Sequence, residues 1–342
     1  MTRRKATTQA VSPPARRVGP FNVLAVGQGG RLQAEALLLA ASLRHACPAF
    51  PGRLVIAEPQ PGALWPADPR MTAEARAMLG ELGAEVVGFE SRAFGHAYPH
   101  GNKIEAMALL PANEPFLFLD TDTLVLGDLD TVPVAGPPTA SMRRENTWPV
   151  EEAYWPGAEA IWRSLHQRFG LDFAASLDAT RKGWDWRRYL YFNAGWFCGP
   201  DPRAFGESLL AVATAIRDDP GEALACQPLD PWLDQVALPL VIHGLGGGRP
   251  TPDLAGLDGE VTCHYRTLPL LYARESDRTV EVLEAVAGPN RLKRLLKAQE
   301  PIRRLVYQGE GARARALFDR ADLPIQEKAI RQRLKAEGLW LR

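Results

Sequence analysis

Four short apolar runs, separated by helical or turn-rich segments, constrain what the first third of this chain can fold into. The runs are 21–26, 53–57, 84–89 and 116–119. An Ala- and Leu-rich segment over 31–45 and a segment capped by Thr72 have the patterns of intervening helices. Buried strands that alternate with helices favour a sheet covered on both faces. The predicted fold class is therefore α/β, with a mixed, mostly parallel sheet and flanking helices.

The alternation ends after Asp122 and divides the chain into regions. A length of 342 residues accommodates one large or two modest domains. Residues 1–20 carry five basic and no acidic side chains, and we expect them to form a disordered basic tail. Residues 21–277 are expected to form the α/β domain. Residues 278–342 have an almost wholly helical pattern, which predicts a helical C-terminal extension.

Charge and cysteine content exclude several classes of protein. The net charge is zero, but the body of the chain has more acidic than basic side chains, which disfavours nucleic-acid binding. No apolar run approaches the ~18 residues of a membrane span. The four cysteines include no Cys-x-x-Cys pair, so neither a zinc finger nor a redox motif is indicated. Scattered cysteines of this kind are typical of small apolar residues in a reducing compartment, which predicts a cytoplasmic protein.

The most informative motif is Asp120-Thr121-Asp122, which directly follows the apolar run Phe116 to Leu119. Ligands of open α/β sheets bind at the carboxyl ends of the strands. In extended chain the two carboxylates share a face and can reach one divalent cation, or a diphosphate bridged by it. Two enzyme classes use such a strand end. One is the haloacid-dehalogenase-type phosphohydrolases, but Leu124 occupies the position where these enzymes carry Thr or Val.

The other class matches at several further positions along roughly 21–270. The matching motifs are Tyr191-Phe-Asn193-Ala-Gly195-Trp-Phe197, Leu233-Asp234-Gln235, Cys263-His264-Tyr265 and the upstream Gly101-Asn102-Lys103. In this order and spacing they resemble the family 8 retaining sugar-nucleotide transferases, which have the GT-A (Rossmann-like nucleotide-diphospho-sugar transferase) fold. The sequence departs from the family at Gly27-Gln-Gly-Gly30 and at Arg266-Thr-Leu-Pro269. A non-catalytic sugar-nucleotide-binding protein remains an alternative.

The resemblance implies a role for each matched residue. Asp120, Asp122 and His264 would hold Mn²⁺ or Mg²⁺, although His243 is a rival third ligand, and Mn²⁺ accepts a nitrogen ligand more readily. Asn193, Asp234 and Gln235 would act in catalysis at the sugar. Residues for donor binding would be Gly27, Asn102, Lys103, Asp120 and Arg266. Trp184, Trp186 and Trp196 could stack on a sugar ring or fill the core.

The predicted enzyme is thus a hexosyltransferase-like glycosyltransferase. Its donor would be a nucleotide sugar, a UDP-sugar, and its acceptor a hydroxyl group on a glycan, on a lipid-linked glycan or on another molecule. The resemblance implies retention of anomeric configuration. Residues 290–305 read as a basic amphipathic helix, which could dock on the sheet domain or contact the inner face of the membrane.

Overall fold

A computed structural model describes residues 18–143 and 148–341 of the chain. The predicted tail therefore lies almost entirely outside the described residues. The strands are β1 (Asn22–Val26), β2 (Arg53–Pro59), β3 (Ala84–Phe89), β4 (Phe116–Leu119), β5 (Thr123–Val125), β6 (Thr139–Ala140), β7 (Trp196–Gly199) and β8 (Thr262–His264).

The helices occur between these strands and after the last of them. They are α1 (Arg31–Ala46), α2 (Ala73–Glu81), α3 (Asn102–Glu105), α4 (Ala158–Arg168), α5 (Phe173–Ser176), α6 (Pro202–Asp218), α7 (Gly221–Leu224), α8 (Leu233–Gly244), α9 (Leu268–Arg274), α10 (Asp277–Ala287), α11 (Asn290–Leu296), α12 (Glu300–Ile302), α13 (Glu310–Ala316) and α14 (Glu327–Ala336). As expected, Thr72 caps α2 by accepting a hydrogen bond from the Ala75 N–H.

Six strands form the main sheet in the order β3-β2-β1-β4-β7-β6. The pairs among β3, β2, β1 and β4 are parallel, whereas β7 is antiparallel to both β4 and β6. A two-stranded antiparallel sheet, β5 with β8, continues beyond the end of β4. The mixed, mostly parallel sheet with flanking helices confirms the predicted fold class.

Helices cover both faces of the main sheet, as the continuous apolar runs predicted. Val23 and Ala25 point into a core shared with α1, whereas Leu24 points into a core shared with α6 and α8. This alternation is the period-two geometry of a strand that is buried on both faces. The sheet's carboxyl edge is thereby held rigidly, and it carries the residues described below.

Three segments fold differently from what their local sequence patterns predict. The apolar pattern of 191–199 predicts a strand, but the strand begins only at Trp196, because the Asn193 side chain turns the chain by accepting a hydrogen bond from the Gly195 N–H. The apolar run 240–243, which ends at His243, resembles a strand but belongs to α8. Residues 290–305 form α11, α12 and the start of a π-helical turn (Arg303–Tyr307) rather than one helix. None of the described helices is long and apolar enough to cross a bilayer.

Candidate active site

Asp120 and Asp122 lie where the main sheet passes into the small sheet. Asp120 follows the last residue of β4, and its N–H donates to the Gly195 carbonyl (2.9 Å). Asp122 precedes β5, and its carbonyl accepts from the Tyr265 N–H (2.9 Å). The backbone is thus fixed on both sides of the motif, and both carboxylates stay at the carboxyl edge of the sheet.

The antiparallel pairing of β5 with β8 brings His264 to the same place. Thr123 pairs with His264, which puts the imidazole Nε2 3.1 Å from Asp122 Oδ1 and 4.0 Å from Asp120 Oδ2. One ligand atom from each of the three residues lies within 4.8 Å of the others. The rival His243 lies in α8, where its Nε2 is 3.0 Å from the Asp172 carbonyl oxygen and its ring packs on His166.

The three residues are electrostatically coupled. Burial raises the pKa of Asp120, and Lys103 only partly offsets this effect. Burial would also raise the pKa of Asp122, but the neighbouring His264 lowers it below the ordinary value. For His264, burial acts to lower the pKa, yet the carboxylates of Asp122 and Asp120 raise it above that of a free imidazole. Without a cation, the imidazolium form therefore balances part of the negative charge.

The donor set suits a divalent cation. Two carboxylates and one imidazole can converge on one ion, and such a mixed oxygen and nitrogen set is compatible with Mn²⁺. Cys47, Asp128 and Asp130 also lie close together. However, burial raises the pKa of the Cys47 thiol, which disfavours the thiolate that would bind a metal.

Lys103 joins the predicted metal ligands to a further carboxylate. Its Nζ lies 2.8 Å from Asp120 Oδ1 and 3.2 Å from Asp234 Oδ2, and it donates to the Ala194 carbonyl (3.3 Å). The Tyr98 hydroxyl donates to Asp234 Oδ1 (2.9 Å) and accepts from the Asp234 N–H (3.0 Å). Asp120, Lys103 and Asp234 therefore form one chain of charges, in which Lys103 and Asp234 are buried and Asp120 is partly exposed.

Gln235 and Asn193 are each held by a specific hydrogen bond. The Tyr191 hydroxyl donates to Gln235 Oε1 at 2.7 Å. The Asn193 amide donates to the Arg143 carbonyl (2.6 Å), and its Oδ1 accepts from the Gly195 N–H (2.9 Å). A Cβ at Gly195 would lie only 2.1 Å from His264 Nδ1, so a residue without a side chain is required beside the imidazole.

Two further predicted donor-binding residues, Gly27 and Asn102, are buried. At Gly27 a Cβ would lie 2.5 Å from an Ile56 methyl group, so the end of β1 packs closely against β2. Asn102 accepts from the Ser91 hydroxyl (3.2 Å) and donates to Gln28 Oε1 (3.4 Å), which braces the loop after β1.

A cavity of about 390 Å³ opens beside Asp122 and His264. Its size is within the ~300–1,000 Å³ range of small-molecule sites. Arg31 and Arg266 line it from the α/β domain, and Arg331 lines it from α14. Arg266 has a left-handed φ of 64° and its Nη1 lies 2.7 Å from Glu327 Oε2.

Comparison with known families identifies the chain. A family model described as the Rhodobacterales glycosyltransferase domain matches residues 23–246, which is more than half of the chain. The chain belongs to this glycosyltransferase family. The prediction of a glycosyltransferase, made from its resemblance to GT-A enzymes, is thereby confirmed.

Solved glycosyltransferase structures resemble this family member at low sequence identity. The galactosyltransferase LgtC, solved in complex with donor and acceptor sugar analogs, is 13% identical with a TM-score of 0.48, and the match covers 80% of this chain and 99% of LgtC. The bifunctional glycosyltransferase WbbM is 14% identical with a TM-score of 0.48; 85% of this chain and 53% of WbbM are covered. A comparison with curated proteins finds no match.

The three tryptophans that could stack on a sugar ring or fill the core lie in different surroundings in this glycosyltransferase. Trp196 is buried and its Nε1 donates to Asp258 (2.8 Å), so it belongs to the core. Trp184 is 81% exposed and, with Trp186, lines an aromatic groove that also includes Tyr191. Tyr191 therefore contacts both this groove and Gln235.

Three residues of this site were not found from the sequence. Tyr98 precedes its partner Asp234 by 136 positions. Glu35 in α1 is buried beside Thr121 and pairs with Arg31 (2.7 Å), and burial together with the charge of Asp122 raises its pKa to about 8. Glu327 is buried beneath arginines of two segments. Only the Arg31–Glu35 spacing, one turn of a helix, left a signal in the sequence.

Proposed function

We propose that this glycosyltransferase moves a sugar from a UDP-sugar to a hydroxyl acceptor with the help of a divalent cation, Mn²⁺ or Mg²⁺. The observation that carries the proposal is the convergence of Asp120, Asp122 and His264 at the carboxyl edge of the sheet. These residues come from β-strand ends that are far apart in sequence, and they border a cavity of suitable size.

Asp120, Asp122 and His264 would hold the cation. When bound, it supplies positive charge that stabilises the departing nucleoside diphosphate. Arg266 lies in the wall of the cavity, and its planar guanidinium group, which is ion-paired with Glu327, would also donate to the diphosphate. Contact of Lys103 with the diphosphate stays a prediction. The ammonium group of Lys103 already lies between the carboxylates of Asp120 and Asp234.

The polar residues around Lys103 are suited to hold the transferred sugar. The Asp234 carboxylate, fixed by Tyr98 and Lys103, can accept hydrogen bonds from sugar hydroxyls. Gln235 is oriented by Tyr191 and can place its amide near the anomeric carbon. Asn193 lines a second cavity, of about 290 Å³, together with His264 and Arg266. Retention of configuration is proposed from the resemblance to family 8.

The acceptor is proposed to be a glycan, a lipid-linked glycan or another hydroxyl compound that reaches the same edge of the sheet. A cytoplasmic location is supported by the four cysteines, all of which lie in the described part of the chain and are free. Peripheral contact with the membrane through 290–305 is a secondary proposal, since Leu292 and Leu296 are buried in the protein.

The substitution Asp122→Asn tests the metal assignment. We expect it to abolish Mn²⁺-dependent binding of UDP, measured by titration calorimetry, while the far-UV circular dichroism spectrum stays the same. Two neighbouring carboxylates repel each other without a cation, so removing one charge should not unfold the protein. Asp322→Asn, at an exposed position, is the matched control. Unchanged metal-dependent affinity in Asp122→Asn contradicts the assignment.

A further inference from the structure

The C-terminal helix α14 contributes a buried carboxylate that organises several arginines. Glu327, the first residue of α14, has a side chain that is 1% exposed. Its Oε2 lies 2.7 Å from Arg266 Nη1 and 2.7 Å from Arg274 Nη1, and its Oε1 accepts from Arg331 Nη2. Burial would raise the pKa of Glu327, but Arg266 and Arg274 lower it, so the carboxylate is ionised.

This carboxylate orients Arg331 along the wall of the 390 Å³ cavity. The Arg331 guanidinium is held on one side by Glu327 and lies over the Trp340 ring, 5.5 Å from its centroid. A planar guanidinium that is held by a carboxylate and stacked on an aromatic ring has few alternative orientations. Arg331 is therefore preorganised before any ligand arrives.

Buried polar atoms without a hydrogen-bond partner are concentrated at this cavity. Among the described residues, they include Arg331 Nε, Thr267 Oγ1 and the Tyr265 hydroxyl, and all three residues line the cavity. A buried donor that finds no acceptor costs roughly 1–3 kcal/mol, so such groups normally have a partner. Guanidinium and hydroxyl donors next to one another call for a ligand that is rich in anionic oxygens.

The place of the cavity identifies that ligand. Asp122 and His264 line one side of it, so a molecule bound there lies next to the proposed metal ligands. We propose that Arg331, positioned by Glu327, binds a phosphate of the donor nucleoside diphosphate, with Thr267 as a second donor. The inference rests on the proposed function and adds a residue from outside the α/β domain to the donor site.

The experiment is calorimetric titration of the full-length protein with UDP in the presence of Mn²⁺. We expect Arg331→Met to weaken UDP binding roughly 10- to 100-fold, because a hydrogen bond to a charged group is lost. Arg333→Met is the matched control, since Arg333 is an exposed arginine on the same helix. Its affinity for UDP should equal that of the wild type.

Glu327→Gln tests the positioning role of the carboxylate. It should weaken UDP binding in the wild-type background, and part of that loss should disappear in Arg331→Met, because Arg331 is one of the three arginines that the carboxylate holds. If Glu327→Gln does not fold, the Arg331→Met and Arg333→Met pair still decides the matter. Equal UDP affinity of these two variants overturns the inference. A wild-type protein that binds no UDP with Mn²⁺ overturns the proposed function as well, so the two failures are distinguishable.

Discussion

The His264 imidazole can bind either a proton or the proposed cation. Its Nε2 is 3.1 Å from Asp122 Oδ1, and the two carboxylates raise the pKa of the ring above its ordinary value. Only the neutral ring can coordinate a metal. The proposed third ligand should therefore also make metal binding dependent on pH.

Mn²⁺ affinity should fall as the pH decreases from 8 to 5.5. The cation must displace the His264 proton, and a raised pKa means that this competition begins above the ~6.5 of a free imidazole. Titration of the protein with Mn²⁺ at constant UDP concentration measures the effect. His264→Ala should weaken binding and remove most of the pH dependence, while His243→Ala should leave it intact. The opposite pattern would assign the third ligand to His243.

Local sequence could identify some of the site residues and not others. Asp120 and Asp122 were found because the strand and the motif are contiguous in the chain. Tyr98 and Glu327 were missed because nothing near them in sequence reports their partners, which lie 136 and 61 positions away. Such contacts follow from the tertiary fold.

At the scale of secondary structure, Lys103 connects three elements. It belongs to α3, and its ammonium group contacts Asp120 after β4 and Asp234 in α8. The Lys103 side chain is 8% exposed, so its ammonium group depends on these carboxylates rather than on bulk water. Lys103 therefore connects the candidate site at the end of β4 with α3 and α8.

Lys103→Met should lower the free energy of unfolding by about 3 kcal/mol, since it leaves the buried Asp234 carboxylate without its cation. Chemical denaturation measures this loss. Adding Asp234→Asn should restore part of the stability, because one of the unpaired charges is then removed. Lys182→Met, at an exposed position, is the control. A loss below 1 kcal/mol in Lys103→Met contradicts the buried charge network.

Element boundaries were predictable where the apolar pattern was strong. The runs at 22–26 and 116–119 became β1 and β4. The apolar residues Tyr191 and Phe192 suggested a strand, but a side-chain hydrogen bond at Asn193 competes with the ladder there. The apolar pattern of the sequence alone does not reveal this competing side-chain hydrogen bond.

At the scale of the molecule, the C-terminal segment shares a core with the sheet domain. Leu283, Leu292, Leu296 and Leu305 are buried in the same cluster as residues of β1 and α1. The basic side chains Arg291, Arg294 and Lys297 lie at the surface. The segment 290–305, which was predicted to dock on the sheet domain or contact a membrane, therefore uses three of its four leucines in intramolecular packing.

Leu296→Ala should destabilise the protein by about 2 to 5 kcal/mol, because a fully buried side chain is replaced by a cavity. Leu295→Ala, at a partly buried neighbour, should cost less. Thermal or chemical denaturation measures both changes. If both variants keep the wild-type stability and instead lose binding to anionic liposomes, the segment is a membrane-contact element.

We propose that this glycosyltransferase uses a metal-bound nucleoside diphosphate sugar. The most direct measurement is a thermal-shift screen of nucleoside diphosphates with and without Mn²⁺. A ligand at 100 times its dissociation constant stabilises the folded state by about 2.7 kcal/mol, which is a shift of several degrees. We expect UDP to raise the melting temperature only when Mn²⁺ is present. No shift with any nucleoside diphosphate, together with release of phosphate from phosphomonoesters, would contradict the account.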